Sequence, residues 1–571
     1  MGVISWVIFL FNLNAFSSDN TDILLRAMKT ELDVSYERLR DAEKFPLYFM
    51  GYEVWDYSGW WVDSNLGGIT SENKNNNRVM VCDMRIGSRE LDSTHEIKSD
   101  SSEDDNSKKT DISFLALNDY DAIRMDIWEL TDKTYKKALN RYIKVLTNKQ
   151  VSAENDDKSG DFTLDKTTDV FYQKVTEENI NEEGIKELIK RMSLKFKKYD
   201  FIINSSVNFS KDNVTRYIVN SDGAQIVEGR RKYQLSYYVY SKNDDGTDLS
   251  RFKRYDFSSI SDMPAEKDIS LDIDKSISEL KELLVAENLE PYSGPAILEN
   301  KAAAVFWHEI LGHRLEGHRQ KSDKEGQTFA KKVGQKIMPE FLTVYDDPNL
   351  ESYGGIYLNG HYLYDDEGVR SRKTLLIDNG VLKNFLMQRS PLLNFNYSNA
   401  HGRRSSGYMS VARQGNLIVS SSKTVSYDDL KKMLLDEINK SKKPYGLIIS
   451  DIEGGFTITR RNMPQSYTIL IKYAKKIYPD GREEVVRGLN MIGTPVETFS
   501  KIVATGDDYD IFNGVCGAES GWVDVSAVSP SLLFSSIETE KVNKSNQKPP
   551  VLKPPYIGED RTQDKENTLF N

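Results

Sequence analysis

Phe306-Trp307-His308-Glu309-Ile310-Leu311-Gly312-His313 is the stretch on which the reading of this chain turns. Two imidazoles flank a glutamate that directly follows the first of them. Neutral imidazoles bind a metal and an adjacent carboxylate handles protons, which is the inventory of a zinc hydrolase. The common zincin pattern places its histidines at i and i+4, on one helix face. Here they stand at i and i+5. On a regular α-helix five residues leave the two side chains roughly 140° apart, too far round to share one ion. The spacing therefore predicts a π-bulge, a kink or a helix end between them, and Gly312 is where such a distortion is easiest. The run Ala302-Ala303-Ala304-Val305-Phe306-Trp307 leads in with apolar, helix-compatible residues, so the motif reads as part of a buried helix. Histidine is scarce, six in 571 residues, yet His308, His313 and His318 fall together.

The length predicts two or three domains with sizeable cores. Net charge is -11 and no basic stripe stands out, which argues against a nucleic-acid partner. Thirty tyrosines point to a folded, β-rich chain. The first residues, Met1-Gly2-Val3-Ile4-Ser5-Trp6-Val7-Ile8-Phe9-Leu10-Phe11, are too short an apolar run to span a bilayer. They suit a signal-peptide core followed by Ala15-Phe16-Ser17, although no Lys or Arg precedes them. Residues 1–18 are thus read as a signal peptide, implying export to the periplasm or the medium; otherwise the chain is cytoplasmic. No other stretch predicts stable membrane insertion. Cys82 lies in the strand-like Val79-Met80-Val81-Cys82-Asp83 and reads as a small core residue; Cys516 lies in the Gly-flanked Asn513-Gly514-Val515-Cys516-Gly517. Glycines there let the backbone bring a sulfur close to a partner, and two histidines need a third ligand.

Along the chain, helical periodicity covers about Asp22 to Lys44, Ala122 to Thr147, Glu177 to Phe196 and Asp272 to Glu287. Strand patterns cover Tyr48 to Arg85 and Tyr199 to Phe257. Ser99 to Thr110 and Val151 to Thr163 are polar loops. Pro291-Tyr292-Ser293-Gly294-Pro295 marks a boundary, after which strands and turns dominate to about Ile537. Asn379-Gly380 between apolar runs signals a hairpin. Residues 19–290 form one region, 291–541 a second, and 542–571 a proline-containing tail.

Five blocks in order carry a resemblance. They are His308-Glu309-Ile310-Leu311-Gly312-His313-Arg314-Leu315-Glu316-Gly317; Tyr364 to Gly368 with Leu376 to Leu382; Asn399-Ala400-His401-Gly402-Arg403-Arg404 with Arg413 and Asn416; Arg487 to Gly493; and Cys516-Gly517. In these blocks the chain resembles the TldD/PmbA metallopeptidases. The resemblance implies an α+β fold: an N-terminal α/β region followed by a largely antiparallel β C-terminal domain carrying a distorted metal-binding helix. It further implies hydrolysis of unfolded or flexible peptides. The assembly it implies is a dimer, either a homodimer or a heterodimer with a paralogue that lacks the motif.

The resemblance implies a Zn²⁺ held by His308, His313 and Cys516, with Glu309 as the catalytic base. His318 stays open as an alternative third ligand, because it lies five residues after His313; the family usually carries an acidic residue near here, and His318 departs from that pattern. Glu316 is read either as orienting a ligand imidazole or as a solvated helix residue. His401, Arg403 and Arg404 are read either as contacts to substrate carbonyls or carboxylate, or as a structural loop. His95 and His361 read as loop residues. A non-catalytic peptide-binding or assembly subunit, with structural zinc or none, is the competing expectation.

Overall fold

The computed structural model describes residues 22–97, 109–151, 157–243, 245–322 and 324–542. The expected signal peptide and all but the first residue of the expected tail lie outside them, as do parts of both polar loops.

The N-terminal region runs α1 (Ile23–Leu39), β1 (Leu47–Asn65), β2 (Gly68–Ile86), β3 (Ile112–Phe114), α2 (Tyr120–Val151), β4 (Val170–Gln173), α3 (Glu182–Leu194), β5 (Asn204–Asn220), β6 (Gln225–Lys242), β7 (Asp248–Phe257) and α4 (Glu266–Val285). The strands form one seven-stranded sheet in the order β3-β2-β1-β5-β6, with β4 and β7 both pairing β6. Only the β4–β6 pairing is parallel. The helices begin where polar caps allow. Asp22 accepts from the Leu24 and Leu25 amides and Asn181 from that of Gly184. The expected Asp272 to Glu287 helix starts six residues earlier, at Glu266, because its polar first turn carries no apolar periodicity.

Side-chain alternation assigns the two sheet faces. Tyr52, Val54, Trp60 and Val62 of β1 share a parity and pack under helices, the first pair with α1 and α2, the second with α3 and α4. Glu53, Arg216 and Ile218 point the other way, toward the C-terminal region. Ile218 and Ile226 pack on Tyr364 there. Arg216 pairs with Glu228 at 2.6 Å and with Asp366.

The C-terminal region opens with β8 (Glu287–Asn288), β9 (Ser293–Leu298) and α5 (Asn300–Ile310). The region is built on two large sheets, and β8 and β9 belong to the second. A six-stranded sheet has the order Val381–Leu382, Thr374–Asp378, Leu342–Asp346, Asn416–Ser421, Gly521–Ser529, Asp510–Ala518. A nine-stranded sheet contains β9 flanked by Gly446–Thr457 and Leu532–Lys541. Most pairings in both are antiparallel. The Asn379-Gly380 hairpin is present, with both residues at positive φ as a tight primed turn requires. α5 lies between the sheets, against Gly446–Thr457 on one side and Asp510–Ala518 and Gly521–Ser529 on the other. Its Ala302, Ala303, Phe306, Trp307 and Ile310 enter the largest core, with Leu298 and Ile449 of one sheet and Leu417 and Ala527 of the other.

One C-terminal helix, Tyr427–Ser441, was expected as strand and turn. It covers the far face of the nine-stranded sheet, where Leu430, Leu434 and Ile438 meet Ile297 and Ile448. Its signals stand in the sequence: a Ser426 cap three residues before Asp429, then leucines and isoleucine one turn apart. Among the described residues, no helix is long and apolar enough to cross a membrane.

Candidate metal centre

α5 stops at Ile310, and a 3₁₀ turn over Gly312–Leu315 follows. The expected distortion is therefore an α-to-3₁₀ break, with the Arg314 amide donating to the Leu311 carbonyl at 2.9 Å. Gly312 is needed for a different reason from backbone freedom, since its φ is not positive. The Gln414 side chain fills the space beside it, and Gln414 Nε2 donates to the His308 carbonyl at 3.2 Å. That carbonyl would take the residue 312 amide in an unbroken helix.

The break turns the two imidazoles toward each other, with ring centroids 5.0 Å apart and planes at 70°. Cys516 arrives from the strand Asp510–Ala518 at the edge of the six-stranded sheet, and its Sγ lies 3.3 Å from His313 Nε2. Donor atoms of His308, His313 and Cys516 all lie within 4.8 Å of one another, and all three residues are buried. The second cysteine, Cys82, is a buried free thiol in β2, pushed up by burial.

Electrostatics fit a metal-binding set. Burial alone would raise the Cys516 thiol, but His313 and His308 beside it outweigh that and hold it well below the ordinary thiol range. Burial opposes charging of His313, while Cys516 and Glu316 drive its ring well above the ordinary imidazole value. Glu316 accepts from His313 Nδ1 at 3.0 Å, which leaves Nε2 facing the cysteine. Despite full burial, His313 and Arg319 hold the Glu316 carboxyl down at about 2. His308 is held differently. Its Nδ1 is buried with no hydrogen-bond partner among the described residues. The ring is packed instead against Phe512, 5.9 Å between centroids. That nitrogen is thus not committed to a hydrogen bond within the described residues. Two imidazoles and a thiolate-prone cysteine, closed by a carboxylate behind one ring, match what zinc takes.

Glu309 stands beside the cluster and is only partly buried. Burial pushes its carboxyl up, against the pull of His308, His313 and the Gly455 amide. Gly454 and Gly455 pass close to this carboxylate on a stretch of Gly446–Thr457 whose pairing with Tyr467–Ile477 shifts register repeatedly between Ile449 and Gly454. Such bulges re-aim a strand beside a site.

The remaining candidates go elsewhere. His318 is not in the cluster; its Nε2 lies 2.6 Å from Glu519. His401 is fully buried, bonded through Nδ1 to Asn399 and 3.2 Å through Nε2 from Asp346. Arg403 donates to the Gln414 and Asp524 carbonyls. Arg404 reaches across to Glu53 on β1 at 2.7 Å. All three are engaged within the protein, with partners on other elements and, for Arg404, on the N-terminal sheet. Gln414 and Arg413 were not singled out as site residues. Arg413 Nη2 donates to the Cys516 carbonyl at 2.7 Å, and its Nε lies 3.6 Å from Glu316.

Residues 291–541 match the PmbA/TldA metallopeptidase C-terminal domain, and residues 176–287 match the central domain of the same family. The chain belongs to the PmbA/TldD metallopeptidase family. A metalloprotease TldD homolog from Buchnera aphidicola is 27% identical over 355 residues, 59% of this chain and 67% of that protein. A zinc metalloprotease TldD homolog from Saccharolobus solfataricus is 22% identical over 362 residues, 62% of this chain and 76% of that one. A metalloprotease of Archaeoglobus fulgidus is 27% identical, but the match spans 57% of its length. The fold is that of TldE from Thermococcus kodakarensis, with TM-score 0.57 and 14% identity over 90% of this chain and 100% of that one. A protein described as a putative modulator of a DNA gyrase from Thermotoga maritima gives the same score.

Proposed function

We propose that this PmbA/TldD family member is a zinc-dependent peptidase acting on unfolded or flexible peptides. The observation that carries the reading is the convergence of His308, His313 and Cys516 within 4.8 Å, with Glu309 adjoining them. A purely structural zinc needs no such carboxylate, whereas hydrolysis needs a base beside the reacting water. Zinc, when bound, polarises the scissile carbonyl and acidifies water. The chain supplies the rest. His308, His313 and Cys516 would hold the ion, and Glu316 fixes which nitrogen of His313 faces it. Glu309, raised by burial and restrained by the Gly455 amide, accepts a proton and returns it to the leaving amine.

The names of the relatives support the zinc and the protease class, and the TldE-like fold is compatible with pairing between paralogues. A homodimer or a heterodimer with a motif-lacking paralogue is the assembly we propose. Export by way of residues 1–18 remains part of the reading and is checked by the mature N-terminus of secreted protein.

The test pairs metal content with cleavage of an unstructured peptide. Wild type is expected to carry about one zinc and to cleave. Glu309→Gln keeps zinc and loses activity; Cys516→Ala loses both. Wild type that binds no added zinc and cuts nothing would favour the assembly-subunit alternative.

A further inference from the structure

Cys516 is 203 residues from His313 along the chain, and a 3.3 Å approach between them has to be enforced by something other than local sequence. The strand that carries it is an edge strand, paired on one side only within its sheet, and so the less constrained of the two ligand-bearing elements. Two sets of contacts hold the turn that follows Cys516, one from Arg413 and one from the helix that follows His313. Arg413 donates to the Cys516 carbonyl, to Ser520 Oγ at 3.0 Å and to the Gly521 carbonyl at 3.1 Å. Glu519, at the tip of that turn, takes two partners from the short helix His318–Lys321. His318 Nε2 lies 2.6 Å from one oxygen, and Arg319 Nη2 donates to the other at 2.8 Å. Arg319 Nε also donates to Glu316 at 2.8 Å, and Glu316 holds His313. The contacts close a ring: His313, Glu316, Arg319, Glu519, the turn, Cys516, and His313 again.

We propose that Glu519 is a positioning residue, which with His318 and Arg319 clamps the Cys516 turn against the metal helix and so sets how tightly the third ligand engages zinc. The inference rests on the zinc reading above. Ligand-orienting partners behind the metal shell typically tune its affinity, and this one acts on the ligand's strand rather than on its side chain. Arg319 is shared between the two glutamates, so the carboxylate that orients His313 and the one that places Cys516 are coupled through one guanidinium. His318 supplies the second hold on Glu519 and thereby has a role without coordinating the ion.

The experiment uses the full chain and two readouts that do not depend on turnover: zinc affinity by competition with a chromogenic chelator, and the near-ultraviolet thiolate-to-metal band after loading with Co²⁺. Glu519→Ala is expected to weaken zinc binding about tenfold or more and to diminish the cobalt–thiolate band. His318→Gln, which leaves Arg319 in place, is expected to do so by less. If Glu519→Ala does not fold, Glu519→Gln and His318→Gln decide. Variants that melt earlier but keep wild-type zinc affinity and an unchanged thiolate band overturn the clamp, since a merely structural contact would behave so. Wild type that takes up neither ion overturns the metal reading and the clamp together; wild type that binds both while the variants match it overturns the clamp alone.

Discussion

Gln414 occupies the place where a β-carbon on residue 312 would sit: an ideal Cβ there would lie 1.9 Å from Gln414 Oε1. The helix break between the two histidines is thus wedged open by a side chain 106 residues from the carbonyl it caps. Gly312→Ala is expected to destabilise the fold by about 1–3 kcal/mol, the usual range for overpacking. It is also expected to abolish tight zinc binding, because Gln414 must move and release the His308 carbonyl. Chemical denaturation and chelator competition on the same variant check both parts. A Gly312→Ala protein of wild-type stability and zinc affinity would refute the wedge.

Arg413 is fully buried and serves both Glu316 and the backbone around Cys516. Arg413→Met is expected to cost about 1–3 kcal/mol, because it leaves the buried Cys516 and Gly521 carbonyls without their donor. Arg413→Lys keeps the charge but cannot present several donors in a planar fork. It should retain more stability than the methionine variant while still losing zinc affinity. Equilibrium unfolding of the two variants beside their zinc titrations separates charge from geometry.

Acid stability follows from the held carboxylates. Glu316 sits at about 2 in the folded protein against an ordinary 4.5. Glu519 is likewise held well below its ordinary value, by Arg319 and His318 against the opposing effect of burial. The folded state therefore binds these protons less readily than the unfolded state, so the groups stabilise the fold above about pH 4.5 and that contribution is lost as pH falls toward 2. Melting temperature of the metal-free protein should decline steadily over that window. Glu519→Gln should show a shallower decline. Equal slopes for the two proteins would argue against the ion pairing.

Metal removal should act through mass action. If zinc binds only the folded chain, stability rises with free zinc, by about 2.7 kcal/mol at a hundred times the dissociation constant. Thermal melts across a zinc series, with a strong chelator as the zero point, should show this rise in wild type and a much smaller one in Cys516→Ala.

The parts of the site that were legible in the sequence are those whose meaning is local. His308, Glu309 and His313 stand within one short segment, and helical geometry alone demands a break between them. Its form was not legible, because Gln414 acts through space. The expected glycine was right in position and wrong in reason: close packing, and not backbone freedom, requires it. Spacing alone does not separate the two roles of Glu316, and its 3.0 Å contact to His313 Nδ1 supports orientation. His401, Arg403 and Arg404 are polar residues clustered in a loop, which looks like a binding site in one dimension. In three dimensions their partners are Asp346, the Asp524 carbonyl and Glu53, none of which is near them in sequence. The long amphipathic helices and the paired strands of the N-terminal region were readable from period alone. The helix Tyr427–Ser441 was overlooked because strand patterns on both sides outweighed its own four-residue spacing.

The order in which the donors occur along the chain also bears on how the protein is made. His308 and His313 precede Cys516, the latter by 203 residues, and Cys516 lies on a strand that, among the described residues, pairs with the later Gly521–Ser529, itself seated beside Asn416–Ser421. A chain in which this hairpin has not yet paired holds two imidazoles and no thiolate in register with them. The full donor set is therefore a product of long-range strand pairing, and the helix that carries both histidines cannot assemble it alone.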